Sequence, residues 1–491
     1  MVAAVRAGGA TGGAPLSSST AAAPPITTAP SPPPLILAPG PAASERLHPG
    51  EVHLWWVRPS AVPDEAVDAC ARRVLSEEER QAAEAAGGAA ALWRERVLTR
   101  SLVRCALARY LPWAQAEEGN EQAPPPLADP ASLAFSRNDH GKPHLLLPNP
   151  PTRPPLEFNV THTPELIGVA VCLAGPVHGG GGVGDGGGNG KGAPVAVALG
   201  LDAEVAARRS RAGRGARRRS SKEGQSGGGG VTAGSRSSSS SEDGGLTQAE
   251  EEEEAAAAGG SSSSDDDDGF RRLAARRFHP LEVQSLEAAA ERAAVARASG
   301  GGGEAAAAAA AAAAEARSSL FVRLWTLKES VVKARGVGIS HPPGLKGFSV
   351  ELGPEDPELG RHLRELTGGF EACGTGQSGG NGSGGGNTTN SAAAPASISL
   401  RWKKQQEESD SKHGAFKLLL MQPCQGHVAA LCVHALPSDG GGAPGSAHGS
   451  NGDGPRVAGA VRRVVSRHAS IAGGDGNNGT QARVLAGTRW W

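Results

Sequence analysis

Long low-complexity tracts interrupt this chain and limit how much of it can build a hydrophobic core. They are rich in Gly, Ser, Ala or charged residues and occupy positions 179–192, 208–269, 300–316, 374–394 and 437–491. Such segments bury too little apolar surface to offset the entropy lost on ordering, so we predict disordered insertions and a disordered tail. The remainder is roughly 260 residues, enough for two modest domains with cores of their own.

Composition and charge agree with this division. The 491 residues include 71 glycines, and aromatic residues make up only 3% of the chain. Lys and Arg total 49 against 50 for Asp and Glu, so bulk charge favours neither a nucleic acid nor a membrane as partner, and we expect neither. No apolar run approaches the length of a membrane span.

The cysteines and the N-terminal segment bear on the cellular compartment. The six cysteines contain no Cys-x-x-Cys spacing, which favours a reducing compartment and argues against a disulfide framework or a zinc site. The first 44 residues hold one arginine, Arg6, and no acidic residue. They are compatible with an organelle transit peptide or with plain disorder, so the expected location is cytosolic or organellar, in a plastid or mitochondrion.

The remaining blocks alternate between helical and strand patterns, which predicts an α+β fold. In the first half we predict strands at 52–57, 156–160 and 166–173 and helices at 76–86 and 92–111. Ser76 and Glu79 have the spacing of a capping box at the start of the first of these helices. In the second half we predict helices at 270–278, 281–298 and 320–334 and strands at 195–201, 348–352, 397–402, 416–421 and 428–434. The domain prediction is an N-terminal segment 1–50, lobes 51–192 and 193–436, and a tail 437–491.

Two motifs of the second half carry carboxylates. Asp202 and Glu204 follow an apolar strand and, being two residues apart, point to the same face in extended backbone. Glu329 and Lys333 are four residues apart and share one face of a predicted helix. Carboxylates beside a lysine suit a Mg²⁺-dependent reaction on a phosphate ester, since Mg²⁺ takes carboxylate and phosphate oxygens and lysine offsets phosphate charge.

Two motifs of the first half carry phosphate-binding chemistry. The polar turn at 137–143 presents Lys142 beside Gly141, and the strand at 158–162 ends on Thr161 and His162. Basic side chains, a hydroxyl and accessible backbone N–H groups together suit a phosphomonoester.

Taken in order, these motifs resemble the larger, two-lobed class of 4'-phosphopantetheinyl transferases, the Sfp-like and eukaryotic holo-acyl-carrier-protein synthase type. The matching segments are 98–104, 141–143, 158–162, 200–204, 277–282, 325–329 with Lys333, and 336–339. The resemblance covers nearly all of the ordered blocks. It implies two similar α+β lobes in a pseudo-twofold arrangement, and therefore a monomer.

The resemblance also implies an activity. The family moves phosphopantetheine from coenzyme A onto a serine of an acyl or peptidyl carrier domain and releases 3',5'-ADP. By this resemblance Asp202, Glu204 and Glu329 hold Mg²⁺, Lys333 neutralises the phosphates, and Lys328 assists. Either Glu329 or a metal-bound water takes the serine proton.

A further set of residues is assigned to coenzyme A by the same resemblance. They grip the nucleotide and its 3'-phosphate and are Arg80, Arg137, Gly141, Lys142, Asn159, Thr161 and His162. Thr161 stands where the family usually has serine, and both residues carry a hydroxyl. The basic residues Arg271, Arg272, Arg276 and Arg277 are expected to meet an acidic carrier helix. The carrier could belong to fatty-acid synthesis, to polyketide synthesis or to aminoadipate reduction in lysine biosynthesis.

Two other functions compete with the transferase. One is a catalytically silent module that binds coenzyme A or a carrier domain, although the full set of carboxylates and lysine argues against it. The other is a scaffold in which the charged tract at 208–268 is the working part. Such blocks of charge are usually solvated and inert.

Overall fold

The computed structural model describes residues 46–85, 90–115, 128–147, 156–173, 196–206, 263–298, 303–342, 344–367, 396–402, 415–436, 461, 463–468 and 483–487. All of them belong to one compact unit, Pro34–Trp491, whereas the second unit, Met1–Pro33, lies outside the described residues. The predicted insertions 179–192 and 374–394 also lie outside, as does 208–262 of the charged tract.

The described elements confirm the α+β class. The α-helices are α1 (Asp64–Arg73), α2 (Glu77–Ala85), α3 (Ala90–Gln115), α4 (Ser263–Arg277), α5 (Pro280–Ala298), α6 (Gly303–Arg335) and α7 (Pro357–Leu366). The strands are β1 (Glu51–Val57), β2 (Ala134–Arg137), β3 (Pro143–Leu146), β4 (Leu156–Thr163), β5 (Leu166–Leu173), β6 (Ala196–Val205), β7 (Phe348–Glu355), β8 (Ala396–Trp402), β9 (Ala415–Gln422), β10 (His427–Leu436), β11 (Arg463–His468) and β12 (Arg483–Gly487). None of the described helices is both long and apolar enough to cross a membrane.

The strands form two main sheets and a hairpin. The smaller sheet has the order β11-β1-β5-β4, and the larger has the order β6-β10-β9-β12-β8-β7. β2 and β3 pair with each other on either side of the turn that carries Gly141. β4 therefore ends the smaller sheet, and β6 ends the larger one.

Alternation along the strands divides the buried side chains among three cores. Trp55 and Val57 of β1 pack toward α1 and α3, whereas Val52, Leu54 and Trp56 face a core shared with β6, β10 and α7. On the larger sheet the opposite face, which includes Ala430 and Cys432 of β10, packs against α4, α5 and α6. The layers therefore run from helices through both sheets to helices, and α6 lies against the larger sheet.

Helix α6 differs from the sequence prediction at its N-terminal end. We expected the tract 300–316 to be a disordered insertion, but the helix runs without interruption from Gly303 to Arg335. Alanine has the highest helix propensity of any residue, and residues 320–335 already form a packed helix. Extending a formed helix avoids the cost of nucleation, so the alanines continue it without an amphipathic face of their own.

The segment after Pro437 also differs from the prediction of a disordered tail. β11 pairs in parallel with β1, and β12 pairs with β9 and β8. Val461 and Val464 are buried in the core between the sheets, and Trp56 Nε1 donates to Ser466 Oγ at 3.0 Å. Two short strands among glycines give no periodic signal. Their structure depends on pairing partners that lie far earlier in the chain.

Candidate active site

Strand β6 and helix α6 approach each other closely at Gly200. A Cβ atom on Gly200 would lie 1.8 Å from the carbonyl oxygen of Ser330 and 2.4 Å from the backbone nitrogen of Ala334. Both are backbone atoms of a packed helix, so they cannot move aside as a flexible side chain can. Glycine is therefore needed at this crossing, which places the Asp-x-Glu motif of β6 beside the Glu329–Lys333 face of α6.

The two carboxylate motifs meet at Lys333. Its Nζ donates to Asp202 Oδ1 at 2.9 Å, across 131 residues of sequence. Burial by itself would lower the pKa of Lys333, but the negative charges of Asp202, Glu329 and Glu204 outweigh it and raise the pKa above its usual value. The structure thus brings together all three predicted metal ligands and the predicted phosphate-binding lysine.

Asp202 keeps an unused acceptor in this arrangement. Its Oδ2 atom is buried and has no hydrogen-bond partner among the described residues. Burial raises the pKa of Asp202 in spite of the charge and hydrogen bond of Lys333. A buried oxygen of this kind is suited to a cation or a further donor.

The three carboxylates do not form a ready-made metal site. Within the described part of the chain, no group of three or more His, Cys, Asp or Glu side chains is arranged to hold a metal ion. Lys333 Nζ is hydrogen-bonded to Asp202 Oδ1, an oxygen that a cation would also use as a ligand. The carboxylate oxygens fit Mg²⁺ in chemical type, and their use as ligands remains a prediction.

Lys328 makes its contacts elsewhere. Its side chain is 0% exposed, and Nζ donates to Glu282 Oε1 at 2.7 Å and to the carbonyl oxygen of Phe348 at 2.6 Å. Burial lowers its pKa to about 8, and Glu282 opposes that shift. Glu282 also accepts from the backbone N–H of Val350 at 2.7 Å. Lys328 therefore ties α5 and β7 to α6 inside the core, and none of these contacts supports the predicted assisting role in catalysis.

The turn with Gly141 docks on the C-terminal end of α6. Gly141 has a φ of +81°, and its carbonyl oxygen accepts from Arg137 Nη1 at 3.0 Å. Asn138 Nδ2 donates to the carbonyl oxygen of Gly336 at 2.8 Å. Lys142 Nζ donates to Glu157 Oε1 at 2.6 Å and to the carbonyl oxygen of Leu199 at 3.0 Å. The loop thus lies at the site, but Lys142 already has two protein acceptors.

The motif at 158–162 contributes side chains of two kinds. Asn159 Oδ1 accepts from the N–H of Leu201 at 2.8 Å, and Thr161 Oγ1 accepts from the N–H of Ala203 at 2.9 Å. These two side chains face β6 and are buried. His162 is partly exposed, lies 3.3 Å from Glu95, and is near enough to Asp202 to oppose the rise that burial causes in the pKa of that carboxyl. His162 is thus the member of this motif that is open to a ligand at the site.

Several arginines lie on α2 and α3, the helices that precede the turn with Gly141. Arg80 is on the surface of α2 and pairs with Glu77. Burial lowers the pKa of Arg100 on α3; Glu79 opposes this shift, while Arg137, Arg96 and Arg104 add to it. The sequence analysis did not single out Arg96 and Arg100 as candidates. Their spacing of four residues, which places them on one helix face with Arg104, was the available signal.

Comparison with known families adds a finding about the second half of the chain. Residues 261–373 match the family model of the 4'-phosphopantetheinyl transferase superfamily. This segment is therefore similar to members of that superfamily. It spans α4 to α7 with β7 and contains Glu329 and Lys333, but it does not include Asp202, Glu204 or the motifs of the first half. The match supports a transferase that acts in phosphopantetheinyl transfer. A comparison with curated proteins returned no match to the chain.

Proposed function

We propose that this protein is a 4'-phosphopantetheinyl transferase of the larger, two-lobed class. It moves phosphopantetheine from coenzyme A to a serine of a carrier domain and releases 3',5'-ADP. One observation carries the proposal. Asp202, which lies outside the superfamily match, is hydrogen-bonded to Lys333, which lies inside it, and Glu204 and Glu329 surround the same ammonium group.

The carboxylates suit a divalent cation because they are hard oxygen donors on two rigid elements. Asp202, Glu204 and Glu329 would hold Mg²⁺, and Asp202 Oδ2 is a buried oxygen still without a hydrogen-bond partner among the described residues. When bound, the ion would supply charge stabilisation to the pyrophosphate. Lys333 donates to Asp202 Oδ1 and can pass that hydrogen bond to a phosphate oxygen without leaving its place on the helix.

The transfer itself requires positioning and a proton acceptor. The serine hydroxyl of the carrier attacks the phosphorus that bears the pantetheine, and the bond from that phosphorus to the 3',5'-ADP oxygen breaks. Lys333 offsets the negative charge that the leaving group takes away. The serine proton passes either to Glu329 or to a water, and the proposal includes both acceptors.

The nucleotide end of coenzyme A would lie near the basic residues of α3 and of the turn with Gly141. Arg137 and Gly141 belong to the turn that docks on α6, and His162 reaches from β4 toward Asp202. Arg80, on the surface of α2, would add a further positive charge. Lys142 would join them after exchanging one of its two protein acceptors for phosphate. Arg96 and Arg100 add to the positive charge, which suits the 3'-phosphate.

The decisive measurement is the intact mass of an apo carrier protein after incubation with this protein, coenzyme A and Mg²⁺. We expect the mass increment of one phosphopantetheine and its loss with EDTA. Glu329→Gln and Lys333→Met should each reduce turnover at least about a hundredfold. Lys346→Met, a lysine on an exposed turn, is the matched control and should keep full activity.

The same experiment separates the silent binding module from the enzyme. If several carriers gain no mass while coenzyme A still binds by calorimetry, the chain is a binding module and the transferase proposal is wrong. Acyl and peptidyl carriers tested in parallel would identify the partner class. Deleting residues 1–44 and imaging a tagged protein would test the proposed organellar alternative to a cytosolic location.

A further inference from the structure

The two sheets also contact each other through strands β4 and β6, each of which lies at the edge of its own sheet. In the strand order of the described residues, each of these strands has a backbone-paired neighbour on one side only. An edge strand normally presents unpaired N–H and C=O groups, which are costly when they are buried. Strand β6 carries Asp202 and Glu204. The way the backbone groups along its free edge are hydrogen-bonded therefore bears directly on the site.

Side chains of β4 take the place of a backbone ladder at this junction. Glu157, Asn159 and Thr161 accept from the N–H groups of Leu199, Leu201 and Ala203, with N···O distances of 3.4, 2.8 and 2.9 Å. Each pair is separated by 42 residues of sequence, so the two strands run parallel in a constant register. We call these six residues the β4–β6 seam.

The seam has the periodicity that a strand imposes. Residues 157, 159 and 161 are on one face of β4, and the N–H groups of 199, 201 and 203 all point to the same side of β6. On its other side β6 pairs with β10, where Asp202 lies opposite Ala430. Asp202 is therefore fixed by the pairing of its strand to β10 and by seam bonds to both of its chain neighbours.

Lys142 closes one end of the seam. Its Nζ donates both to Glu157 Oε1 and to the carbonyl oxygen of Leu199. Glu157 in turn accepts from the N–H of Leu199, so Lys142 and Glu157 together satisfy both backbone groups of that residue. The seam thus extends from the turn with Gly141 to the backbone N–H that follows Asp202.

Two of the seam side chains, Asn159 and Thr161, are almost fully buried. The exposed fraction of Thr161 is 2% and that of Asn159 is 6%, and both use their acceptor oxygens on β6. Resemblance to the transferase family assigns both of them to coenzyme A. Because both side chains are almost inaccessible to solvent, a ligand could reach their remaining donor groups only if β6 moved away from β4.

We propose that Glu157, Asn159 and Thr161 are positioning residues, which set the place of Asp202 through the backbone of β6 and do not contact coenzyme A. This inference rests on the proposed transferase function for its kinetic consequences. Loss of one seam bond shifts Asp202 relative to Lys333, and small misplacements of reacting groups are costly in rate.

Thr161→Val tests the proposal because it keeps the shape of threonine and removes the acceptor oxygen. We expect kcat to fall about tenfold to a hundredfold, while the dissociation constant of coenzyme A, measured by calorimetry, stays within about twofold. Thr161→Ser retains the hydroxyl and should restore kcat. Thr367→Val makes the same chemical change at the buried end of α7, where Thr367 Oγ1 donates to Leu363, and should leave kcat unchanged.

Hydrogen exchange provides a readout that needs no activity. In Thr161→Val the amide of Ala203 loses its acceptor and should exchange faster, whereas the amide of Leu201, held by Asn159, should change much less. Unchanged protection at Ala203 would show that the seam does not hold β6. A coenzyme A affinity that falls tenfold with kcat preserved would instead make Thr161 a ligand contact. A wild-type protein that transfers nothing would refute the transferase function, and the exchange result would still decide whether the seam exists.

Discussion

At the scale of single residues, Gly200 permits the approach on which the site depends. A methyl group at this position would overlap the carbonyl oxygen of Ser330 and the backbone nitrogen of Ala334. We expect Gly200→Ala to lower the free energy of unfolding by about 3 kcal/mol, because neither β6 nor α6 can yield without loss of packing. Denaturant unfolding measures the change. Gly338→Ala is the control, since a Cβ there meets nothing within 4 Å, and an equal loss in both variants would contradict the argument.

Lys328 is the residue whose predicted and observed environments differ most. Because it is fully buried against Glu282, Lys328→Met leaves a carboxylate uncompensated inside the core, and we expect a loss of about 3–5 kcal/mol in unfolding free energy. The double variant Lys328→Met with Glu282→Gln should recover much of that loss. The glutamine side chain carries no charge to compensate, and its amide keeps an oxygen for the N–H of Val350.

Turnover per folded molecule distinguishes structure from catalysis at Lys328. We expect the double variant, assayed well below its unfolding midpoint, to keep kcat within a few-fold of the wild type, about one order of magnitude at most. A stable double variant with kcat reduced a thousandfold would return Lys328 to the catalytic set.

At the scale of elements, the predicted capping box of α2 is confirmed. The N–H of Glu79 donates to Ser76 Oγ and the N–H of Ser76 donates to Glu79 Oε2, both at 3.3 Å. Ser76→Ala should cost about 1 kcal/mol of unfolding free energy. Glu79→Ala should cost more, because Glu79 Oε2 also accepts from Arg104 Nε at 2.6 Å and Arg104 is only 3% exposed. Ser285→Ala, on the exposed surface of α5, is the control and should change little.

At the scale of the whole molecule, the strand β11 joins the last part of the chain to the first. Val464 is fully buried beside β1, whereas Arg463 next to it is largely exposed. We expect Val464→Asn to lower the unfolding free energy by about 3 kcal/mol, since it loses apolar burial and places an amide in the core. Arg463→Asn should cost under about 1 kcal/mol. Equal and small effects would mean that β11 does not pair with β1 in solution.

Truncation tests the contribution of the whole tail to stability. A chain that stops after Leu436 loses β11 and β12, so it exposes β1 on one side and separates β9 from β8. We expect a lower unfolding midpoint and poorer solubility than for a chain that lacks only residues 488–491. A fully stable truncated chain would support the sequence-based prediction of a disordered tail.

Local patterns in the sequence determined the α+β class, most element positions and the residues that carry the chemistry. Side chains two residues apart in a strand share a face, as Asp202 and Glu204 do. Side chains four residues apart in a helix also share a face, as Glu329 and Lys333 do. Such spacing involves only neighbours in the chain, so it is visible without a fold.

Tertiary structure alone decided which of these groups meet. Lys328 and Lys333 lie five residues apart on the same helix, yet one is buried against Glu282 and the other donates to Asp202, 131 residues away. Asn159 and Thr161 have the polar groups of ligand-binding residues, but the contact between β4 and β6 engages them with backbone amides. The strands of the tail have partners only because the sheet already exists. These outcomes depend on contacts between distant segments, which no local periodicity encodes.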